Sequence, residues 1–299
     1  MLFVCCDEGL PTDTQMVLAL KILCGFTVRE IAQRLFRSEA DVYKRVERGR
    51  RRLREGATDW DEVELDLEGR LPAVQATLYL LFTEGHLSSG ELSLRRDLCD
   101  EAVRLATLLT EPPLPSAPST RALLALMYLH RARLSARWEE SLGLVLLEEQ
   151  DRRSWDHRDI ATGLGWLARS AEGETFSRYH AEASIAAAHC LAPTFADTDW
   201  NRIAQAYALL ERLVPSPLHR LNRALAVAEG EGPSAGLSLL SGLSPPAWLE
   251  GSYLWAAALA DLHRRAGHEA EARAHRAAAL RLAPSEAVRS ALCRRLGCA

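Results

Sequence analysis

The chain has 299 residues, a formal net charge of −4 and 25% charged side chains, an ordinary balance for a globular protein. Its 51 leucines and 46 alanines far outnumber its 12 valines and 5 isoleucines, which favours helices and argues against a mainly parallel α/β enzyme core. Because no apolar run approaches the ~20 residues that cross a bilayer, we expect a cytoplasmic protein without a membrane partner.

Helix signals begin close to the N-terminus. Apolar residues at helical spacing predict a first helix within residues 12–25. Thr27 and Glu30 then form a capping box, which marks the start of a short second helix. Ser38 is the expected cap of a third helix that ends near Arg54. Two capped helices joined by so short a turn predict a helix-turn-helix.

The helix after Ser38 concentrates positive charge. Residues 44–54 contain seven basic side chains and one acidic side chain, whereas residues 58–299 carry a net charge of −7. A local basic element on an acidic chain predicts one polyanion contact, with the early turns in the major groove of DNA and the later arginines on phosphates. The alternative is a solvated helix end, since cations stabilise a helix C-terminus in any case.

The string GFTVREIAQRLFRSEADVYKRVERGRRRLR, residues 25–54, resembles region 4 of bacterial sigma-70 factors, especially the extracytoplasmic-function (ECF) group. That resemblance implies promoter DNA, read at the −35 element, and the RNA polymerase core as partners. It places base-edge contacts at Tyr43, Lys44, Glu47 and Arg48, and phosphate contacts at Arg37, Ser38 and Arg51. The helix pattern adds Asp41 on the outward stripe and Arg52 among the phosphate contacts. The expected DNA-binding set is Arg37, Ser38, Asp41, Tyr43, Lys44, Glu47, Arg48, Arg51 and Arg52.

One position within this string departs from the family pattern. Gly49 stands where the family usually has alanine, and we expect a helix cost of about 1 kcal/mol. Family members also carry a region 2 domain, which melts the −10 element, ahead of region 4. The sequence starts at the edge of region 4, so we expect either a truncated start or a divergent relative that does not initiate transcription alone; both alternatives stay open.

The rest of the chain resembles the long helical, TPR-like extension of one ECF subgroup. The segments that carry this resemblance are residues 78–90, 95–109, 123–137, 144–156, 197–210 and 216–240. Periodicity predicts helices at about 70–84, 95–110, 119–138, 157–171, 177–191, 199–213, 216–229, 247–266, 268–282 and 285–296. The clearest breaks between them are the Pro- or Gly-rich stretches at 112–119, 230–232 and 244–246.

Residues 253–286 fit the 34-residue tetratricopeptide template. The matching small and turn residues are Ala260, Gly267, Ala272, Ala279 and Pro284. Stacks of such helix pairs usually present a concave surface, so we expect a regulatory protein partner there. The alternative is that this region only packs helices.

The sequence predicts no catalytic residue, metal site or cofactor, and therefore no enzyme. The seven cysteines form no CxxC pair, and we expect them to be reduced and buried. The nine histidines include no HExxH motif, and because the Gly267 turn lies between His263 and His268, one helical face cannot carry both. The acidic cluster around residues 148–156 is expected to form a salt-bridged junction with its neighbouring arginines.

We therefore predict an all-α protein with an N-terminal helix-turn-helix and a large helical domain that ends in TPR-like pairs. The expected domains are residues 1–56 (sigma region 4-like), 57–215 (helical extension) and 216–299 (TPR-like repeats). The predicted function is that of an ECF-type sigma factor or sigma-like regulator whose extension controls its activity. The alternative is a TPR-like adaptor whose region 4 remnant binds an anti-sigma factor or polymerase rather than DNA.

Overall fold

The structure, a computed structural model, describes residues 2–7, 9–35, 37–55, 67–86, 95–112 and 117–298. Within these ranges it contains sixteen α-helices and one antiparallel hairpin of two short strands, β1 (Trp138–Glu139) and β2 (Gly143–Leu144). The all-α fold that the composition predicts is therefore confirmed. No helix in the described ranges is long and apolar enough to cross a membrane.

The described residues up to Leu123 form one compact unit, which we call unit 1. Its helices are α1 (Leu2–Cys5), α2 (Thr12–Ile22), α3 (Val28–Arg34), α4 (Glu39–Glu55), α5 (Leu67–His86), α6 (Arg96–Leu108) and the first part of α7 (Pro118–Arg131). The side chains of Leu18, Leu20 and Ile31 are fully buried and form the core against which α4 packs. This core fixes which face of α4 points outward.

Helices α5 and α6 approach closely at Gly85. A Cβ atom at this position would lie 2.6 Å from the carbonyl oxygen of Arg95 and 2.7 Å from Sγ of Cys99. Cys99 is fully buried, and its thiol donates to the carbonyl oxygen of Phe82 at 3.6 Å. Because a backbone oxygen cannot rotate aside as a flexible side chain does, glycine is required here.

The described residues from Leu124 onward form a second compact unit, unit 2. It contains the rest of α7, short 3-10 turns at Ser135–Arg137 and Arg152–Ser154, the hairpin, and nine further helices. These are α8 (His157–Ser170), α9 (Arg178–Leu191), α10 (Trp200–Leu213), α11 (Pro217–Glu231), α12 (Pro233–Leu240), α13 (Ala247–Glu250), α14 (Tyr253–Arg265), α15 (Glu269–Leu282) and α16 (Glu286–Leu296).

Small residues let consecutive helices of unit 2 pair closely. A Cβ atom on Gly236 of α12 would lie 2.6 Å from the carbonyl oxygen of Ala224 in α11. Between α14 and α15, Ala260 and Ala279 are buried, and Gly267 makes the turn with a φ of +78°. A positive φ of this size favours glycine because a Cβ atom would be strained there.

Ion pairs attach the last helix to the segment after the hairpin. Arg294 of α16 pairs with Glu149 at 2.8 Å, and Arg295 pairs with Glu148 and, at 3.0 Å, with Asp261. The predicted salt-bridged junction with neighbouring arginines is confirmed for Asp151, which pairs with Arg153 at 3.0 Å, whereas Glu148 and Glu149 pair with α16 instead. Local spacing gives no sign of partners about 145 residues away in the sequence.

The predicted helices lie where expected, with a few differences. The helix predicted over 119–138 ends at Arg131, because a 3-10 turn and the hairpin follow it. The helix predicted over 247–266 is two helices, since the Ser252 side chain accepts from the amide of Leu254 and starts α14 anew. The short helices α1 and α12 were not predicted, and residues 113–116 of the Pro-rich break lie outside the described residues.

Along the chain, the division between the two compact units falls between Leu123 and Leu124, inside α7. The predicted boundary at residue 56 lies outside the described residues. The predicted boundary at residue 215 falls within the short connection between α10 and α11. The division into three domains therefore stays a prediction.

Candidate nucleic-acid interface

The first helix of the helix-turn-helix begins with a complete capping box. The backbone amide of Thr27 donates to Oε2 of Glu30 at 2.6 Å, its hydroxyl donates to the same oxygen at 2.7 Å, and the amide of Glu30 donates back to Thr27 Oγ1 at 3.2 Å. These hydrogen bonds hold the pKa of Glu30 below its usual value. The capping box predicted from Thr27 and Glu30 is confirmed.

A tight turn leads from α3 to α4. The amide of Arg37 donates to the carbonyl oxygen of Ala32 at 2.9 Å, and Oγ of Ser38 accepts from the amide of Asp41 at 3.2 Å. Ser38 therefore acts as the predicted cap, and Phe36 within the turn lies outside the described residues. The two capped helices and their short connection confirm the predicted helix-turn-helix.

One side of α4 packs into unit 1. Val42 and Val46 are buried, and a Cβ atom on Gly49 would lie 3.0 Å from both methyl carbons of Leu18. Gly49 thus lies where α4 and α2 approach each other closely. This role in packing is separate from the cost in helix propensity that we expect for a glycine. This contact orients α4 about its own axis and so decides which side chains face solvent.

The opposite side of α4 is open and basic. The tyrosine ring of Tyr43 is 58% exposed, and Lys44, Glu47 and Arg48 are exposed beside it. In the described part of the chain, Lys44 and Arg48 have no carboxylate within ion-pair distance, and they stand four residues apart on one helical stripe. Two solvated cations therefore point away from the protein.

The start of this surface is different, because its charges are paired within the protein. Arg37 bonds to Asp13 of α2 at 2.8 Å, and Arg45 bonds to Asp41 at 2.9 Å. The hydrogen bond from Arg45 holds the pKa of Asp41 below its usual value. Asp41 therefore lies on the flank of the open face, where it pairs with Arg45. Lys44, by contrast, lies on the open face itself.

The later arginines of α4 make only long, solvent-exposed ion pairs. Arg50 lies 3.7 Å from Glu47, Arg51 lies 3.9 Å from Glu55, and Arg52 lies 3.5 Å from Asp7. The side chains of all three arginines are at least half exposed. Exposed pairs of this kind contribute little to stability, so the arginines can exchange these carboxylates for phosphates at small cost.

The pair between Arg37 and Asp13 is the feature of this surface that the sequence pattern did not predict. Asp13 lies in the first turn of α2, 24 residues before Arg37, and it also lies 3.7 Å from Arg45. An acidic residue near a helix start is common, so its position alone gives no sign of a distant partner. Asp13 therefore orients the turn that precedes the open face.

Three histidines lie close together near the C-terminus. The Nδ1 atoms of His263 and His268 are 3.1 Å apart, and the ring of His275 stacks on that of His263 at 5.5 Å. As predicted, one helical face does not carry both His263 and His268, because His263 lies in α14 and His268 is the N-cap residue of α15; the turn at Gly267 nevertheless brings the two rings together. In the described ranges, no group of three or more His, Cys, Asp or Glu side chains is arranged to hold a metal ion.

All seven cysteines are free thiols. Cys5, Cys6 and Cys99 are buried as predicted, whereas the other four are only half-buried. Burial raises the pKa of Cys6 to about 12, so this thiol stays protonated and unreactive at neutral pH. The buried cysteines serve as small apolar core residues.

Comparison with known proteins matches two parts of this chain to family models. Residues 2–53 match the model of sigma-70, region 4, and residues 70–171 match a family of unknown function (DUF6596). A curated relative, "Uncharacterized protein R00370" of Rhizobium meliloti (strain 1021), is 37% identical over 291 residues, which cover 96% of this chain and 68% of that protein. The chain belongs to the family of this Rhizobium protein.

The N-terminal helix-turn-helix is a sigma-70 region 4 domain. Helices α1 to α4 and the open face of α4 lie within the matched residues, apart from the last two residues of α4. Region 4 is a regulatory domain of transcription rather than a catalytic one. No solved structure matches this chain.

Proposed function

We propose that this protein is an ECF-type RNA polymerase sigma factor, or a sigma-like transcription regulator, that recognises the promoter −35 element through α4. The observation that supports this most directly is the open face of α4, where Lys44 and Arg48 have no ion pair with any described residue. A helix that presents cations and hydrogen-bonding side chains on one face suits the major groove of DNA.

The proposal divides the surface into two kinds of contact. Tyr43, Lys44, Glu47 and Arg48 lie on the early, open turns of α4 and contact base edges. Arg37, Ser38, Arg51 and Arg52 contact phosphates, which fixes the register of the helix on the duplex. Asp41 acts indirectly, since its carboxylate holds Arg45 at 2.9 Å on the flank of this face.

We further propose that residues 1–56 are the DNA-binding domain, residues 57–215 a helical extension and residues 216–299 TPR-like repeats. The support for the last assignment is the pairing of α14 with α15 around Gly267, with alanines at the contact. In this proposal the extension regulates a cytoplasmic transcription factor, and a regulatory protein binds its TPR-like surface.

Selection from a pool of random duplex DNA tests the DNA-binding proposal with the full chain. The expected result is enrichment of one motif, whose affinity falls steeply with salt concentration. The double variant Lys44→Glu/Arg48→Glu should no longer select the motif and should lose most of the affinity for DNA, because it reverses the charge of the open face. The proposal fails if no motif is enriched, or if the double variant selects the same motif.

A matched control distinguishes the effect of the open face on DNA selection from the effect of the net charge. The double variant Arg273→Glu/Arg281→Glu changes the net charge by the same amount at two exposed positions of α15. This variant should select the same motif as the natural protein. If it loses selection to the same extent, overall charge rather than the face of α4 drives DNA binding.

A second candidate function, protein binding by unit 1, is supported by an apolar groove. Its volume is about 440 Å³, and its lining residues are Leu2, Leu23, Cys24, Leu81, Leu98, Glu101 and Leu105. An apolar groove with a single acidic residue in its lining is suited to a protein partner. In this alternative the region 4 domain binds the polymerase core or an anti-sigma factor without binding DNA.

Co-elution with purified core polymerase tests this alternative. Leu98→Arg places a charge in the groove and should abolish co-elution, whereas Leu108→Arg on the same helix is a control at an exposed leucine outside the lining. The adaptor function is favoured if Leu98→Arg abolishes polymerase binding and the natural protein selects no DNA motif. Selection of a motif by the natural protein favours the sigma-like function.

A further inference from the structure

The turn between α14 and α15 brings two histidines together through the backbone. The amide of His268 donates to the carbonyl oxygen of His263 at 2.9 Å, and the amide of Gly267 donates to the carbonyl oxygen of Arg264 at 3.2 Å. These two hydrogen bonds form a Schellman motif, in which the side chain just after the turn glycine commonly contacts one in the last turn of the helix. His268 and His263 occupy those two positions, so the motif places their rings side by side.

The separation of the two ring nitrogens suits a shared metal ion. Nδ1 of His263 and Nδ1 of His268 are 3.1 Å apart, and the ring planes are inclined at 49°. Two imidazole nitrogens that bind one ion at about 2.0–2.1 Å lie about 2.9 Å apart at a right angle and about 3.4 Å apart at a tetrahedral angle. The observed distance falls between these values, so both nitrogens can bind the same ion with little movement of either ring.

A third histidine supports the ring of His263. His275 of α15 stacks on this ring with a centroid distance of 5.5 Å and an interplanar angle of 12°. The lone pairs of ring nitrogens lie in the ring plane, so two nearly parallel rings do not aim them at a common point. His275 therefore restrains the orientation of His263 and is not a further ligand for the same ion.

The charges and the exposure around this pair favour a cation from solvent. Glu269 and Glu271 lie in the first turn of α15, and in the described structure neither takes part in an ion pair. Arg264 and Arg265, at the end of α14, are each paired with an acidic residue, at 2.8 and 2.6 Å. His268 is exposed, so an ion reaches the pair of rings directly.

From this geometry we infer that His263 and His268 bind a divalent transition-metal ion through their Nδ1 atoms, which ties the end of α14 to the start of α15. Without the ion, Nδ1–H of one ring donates to Nδ1 of the other; on binding, that ring carries its proton on Nε2 instead, so both rings stay neutral. Within the described residues no third His, Cys, Asp or Glu completes the site, and water occupies the other positions. Imidazole suits Cu²⁺, Ni²⁺ and Zn²⁺, whereas Mg²⁺ and Ca²⁺ prefer oxygen ligands.

Calorimetric titration of the untagged full chain with Ni²⁺ tests this inference. Ni²⁺ is the probe because Cu²⁺ would oxidise the free thiols of this chain. We expect saturable binding at least about tenfold tighter than to a chain that lacks either ring, because both nitrogens bind one ion. The titration uses no DNA, so its result does not depend on the proposed function. The inference is overturned if no saturable binding of Ni²⁺ is measured up to about 1 mM.

Variants distinguish a shared ion from two independent imidazoles. His263→Gln and His268→Gln should each weaken Ni²⁺ binding about tenfold or more, and the double variant should lose little more, because either change alone breaks the site. The control His157→Gln alters an exposed histidine elsewhere and should leave Ni²⁺ binding unchanged. Retained affinity in His268→Gln, or single losses that add in the double variant, would overturn the inference.

A further variant tests the assignment of the two ligands. His275→Phe keeps a stacked ring beside His263 but removes its nitrogens, so Ni²⁺ binding should be unchanged. A loss as large as that of His268→Gln would make His275 a ligand and overturn the assignment. If His263→Gln does not fold, His268→Gln decides the question alone, because His268 is exposed and its side chain makes no capping hydrogen bond to α15.

Discussion

The two compact units place their unpaired cations in opposite environments. In unit 1, Lys44 and Arg48 project into solvent from one stripe of α4, and the charges around them form weak, exposed pairs. In unit 2, Arg133 is half-buried beside the neutral histidines His130 and His189, and it has no carboxylate partner in the described residues. Among the described residues, both units thus leave positive charge unpaired, one at the surface and the other partly withdrawn from water.

This difference gives the two kinds of cation different consequences. An exposed cation is solvated and costs little free energy, so it can meet a large polyanion such as DNA from outside. A cation that is partly withdrawn from water is costly by itself and lowers stability unless a partner compensates it. The contrast therefore favours a macromolecular partner for α4 and a cost in stability for unit 2.

The largest expected effect is a loss of stability in mild acid, which arises in unit 2. Burial and nearby arginines lower the pKa of both His130 and His189 to about 3. Below about pH 6.5 the unfolded chain binds protons that the folded chain does not, so stability falls as the pH decreases. The loss between pH 6.5 and 5 should reach about 2 kcal/mol per histidine, measured by denaturant unfolding.

The control for this prediction is an exposed histidine. His189→Gln should remove about half of the pH dependence, whereas His157→Gln should leave it unchanged. Burial also lowers the pKa of His180, which adds a smaller contribution of the same sign. A free energy of unfolding that stays constant between about pH 6.5 and 5 would contradict the neutral, buried state of these rings.

The next largest effect concerns base discrimination by α4. Lys44→Ala and Arg48→Ala should each reduce the preference for the selected motif over random DNA by about 1–3 kcal/mol. The physical reason is that each variant removes a contact to base edges while most phosphate contacts remain. Competition binding at fixed salt concentration measures this preference. Equal losses on the motif and on random DNA would remove the base-reading role of these residues.

A smaller effect is expected for Arg51, which we assign to phosphates. Arg51→Ala should weaken binding to all duplexes alike and lower the slope of log affinity against log salt by about one unit. Its existing pair with Glu55 is long and exposed, so the stability of the protein should stay the same. A loss of affinity confined to the selected motif would instead indicate that Arg51 contacts base edges.

The smallest effect is expected at Gly49, on the buried side of α4. Gly49→Ala gains about 1 kcal/mol of helix propensity but brings a methyl group against Leu18, so the two terms offset to within about 1 kcal/mol. Base discrimination should be unchanged because the open face keeps its side chains. Thermal unfolding and competition binding measure the two quantities. Altered discrimination would mean that the packing of α4 on α2 sets the orientation of the open face.

Local patterns predicted the parts of this protein that local rules control. The capping box at Thr27, the cap at Ser38 and the exposure of Lys44 follow from spacing within a few residues. The short helix α12 was not predicted, because its apolar residues form no clear stripe along one face and because it begins directly after Gly232. Helix periodicity gives little information about so short an apolar segment.

The sequence pattern did not predict contacts between residues that are far apart in the chain. The pairing of Arg37 with Asp13 and of Arg294 with Glu149 joins residues that no helical spacing relates. The partial burial of Arg133 is of the same kind, since an arginine just after α7 is expected in solvent. These contacts depend on how helices pack, which no local pattern in the sequence records.

A photo-crosslink from the open face tests the account most directly. The photoreactive amino acid p-benzoylphenylalanine would replace Tyr43, which is 58% exposed on α4, or as a control Phe176, which is 50% exposed in unit 2. The account predicts that the probe at position 43 crosslinks to a base within the selected motif, and that the probe at position 176 does not. Absence of a crosslink from position 43 while the protein remains bound to the motif would contradict it.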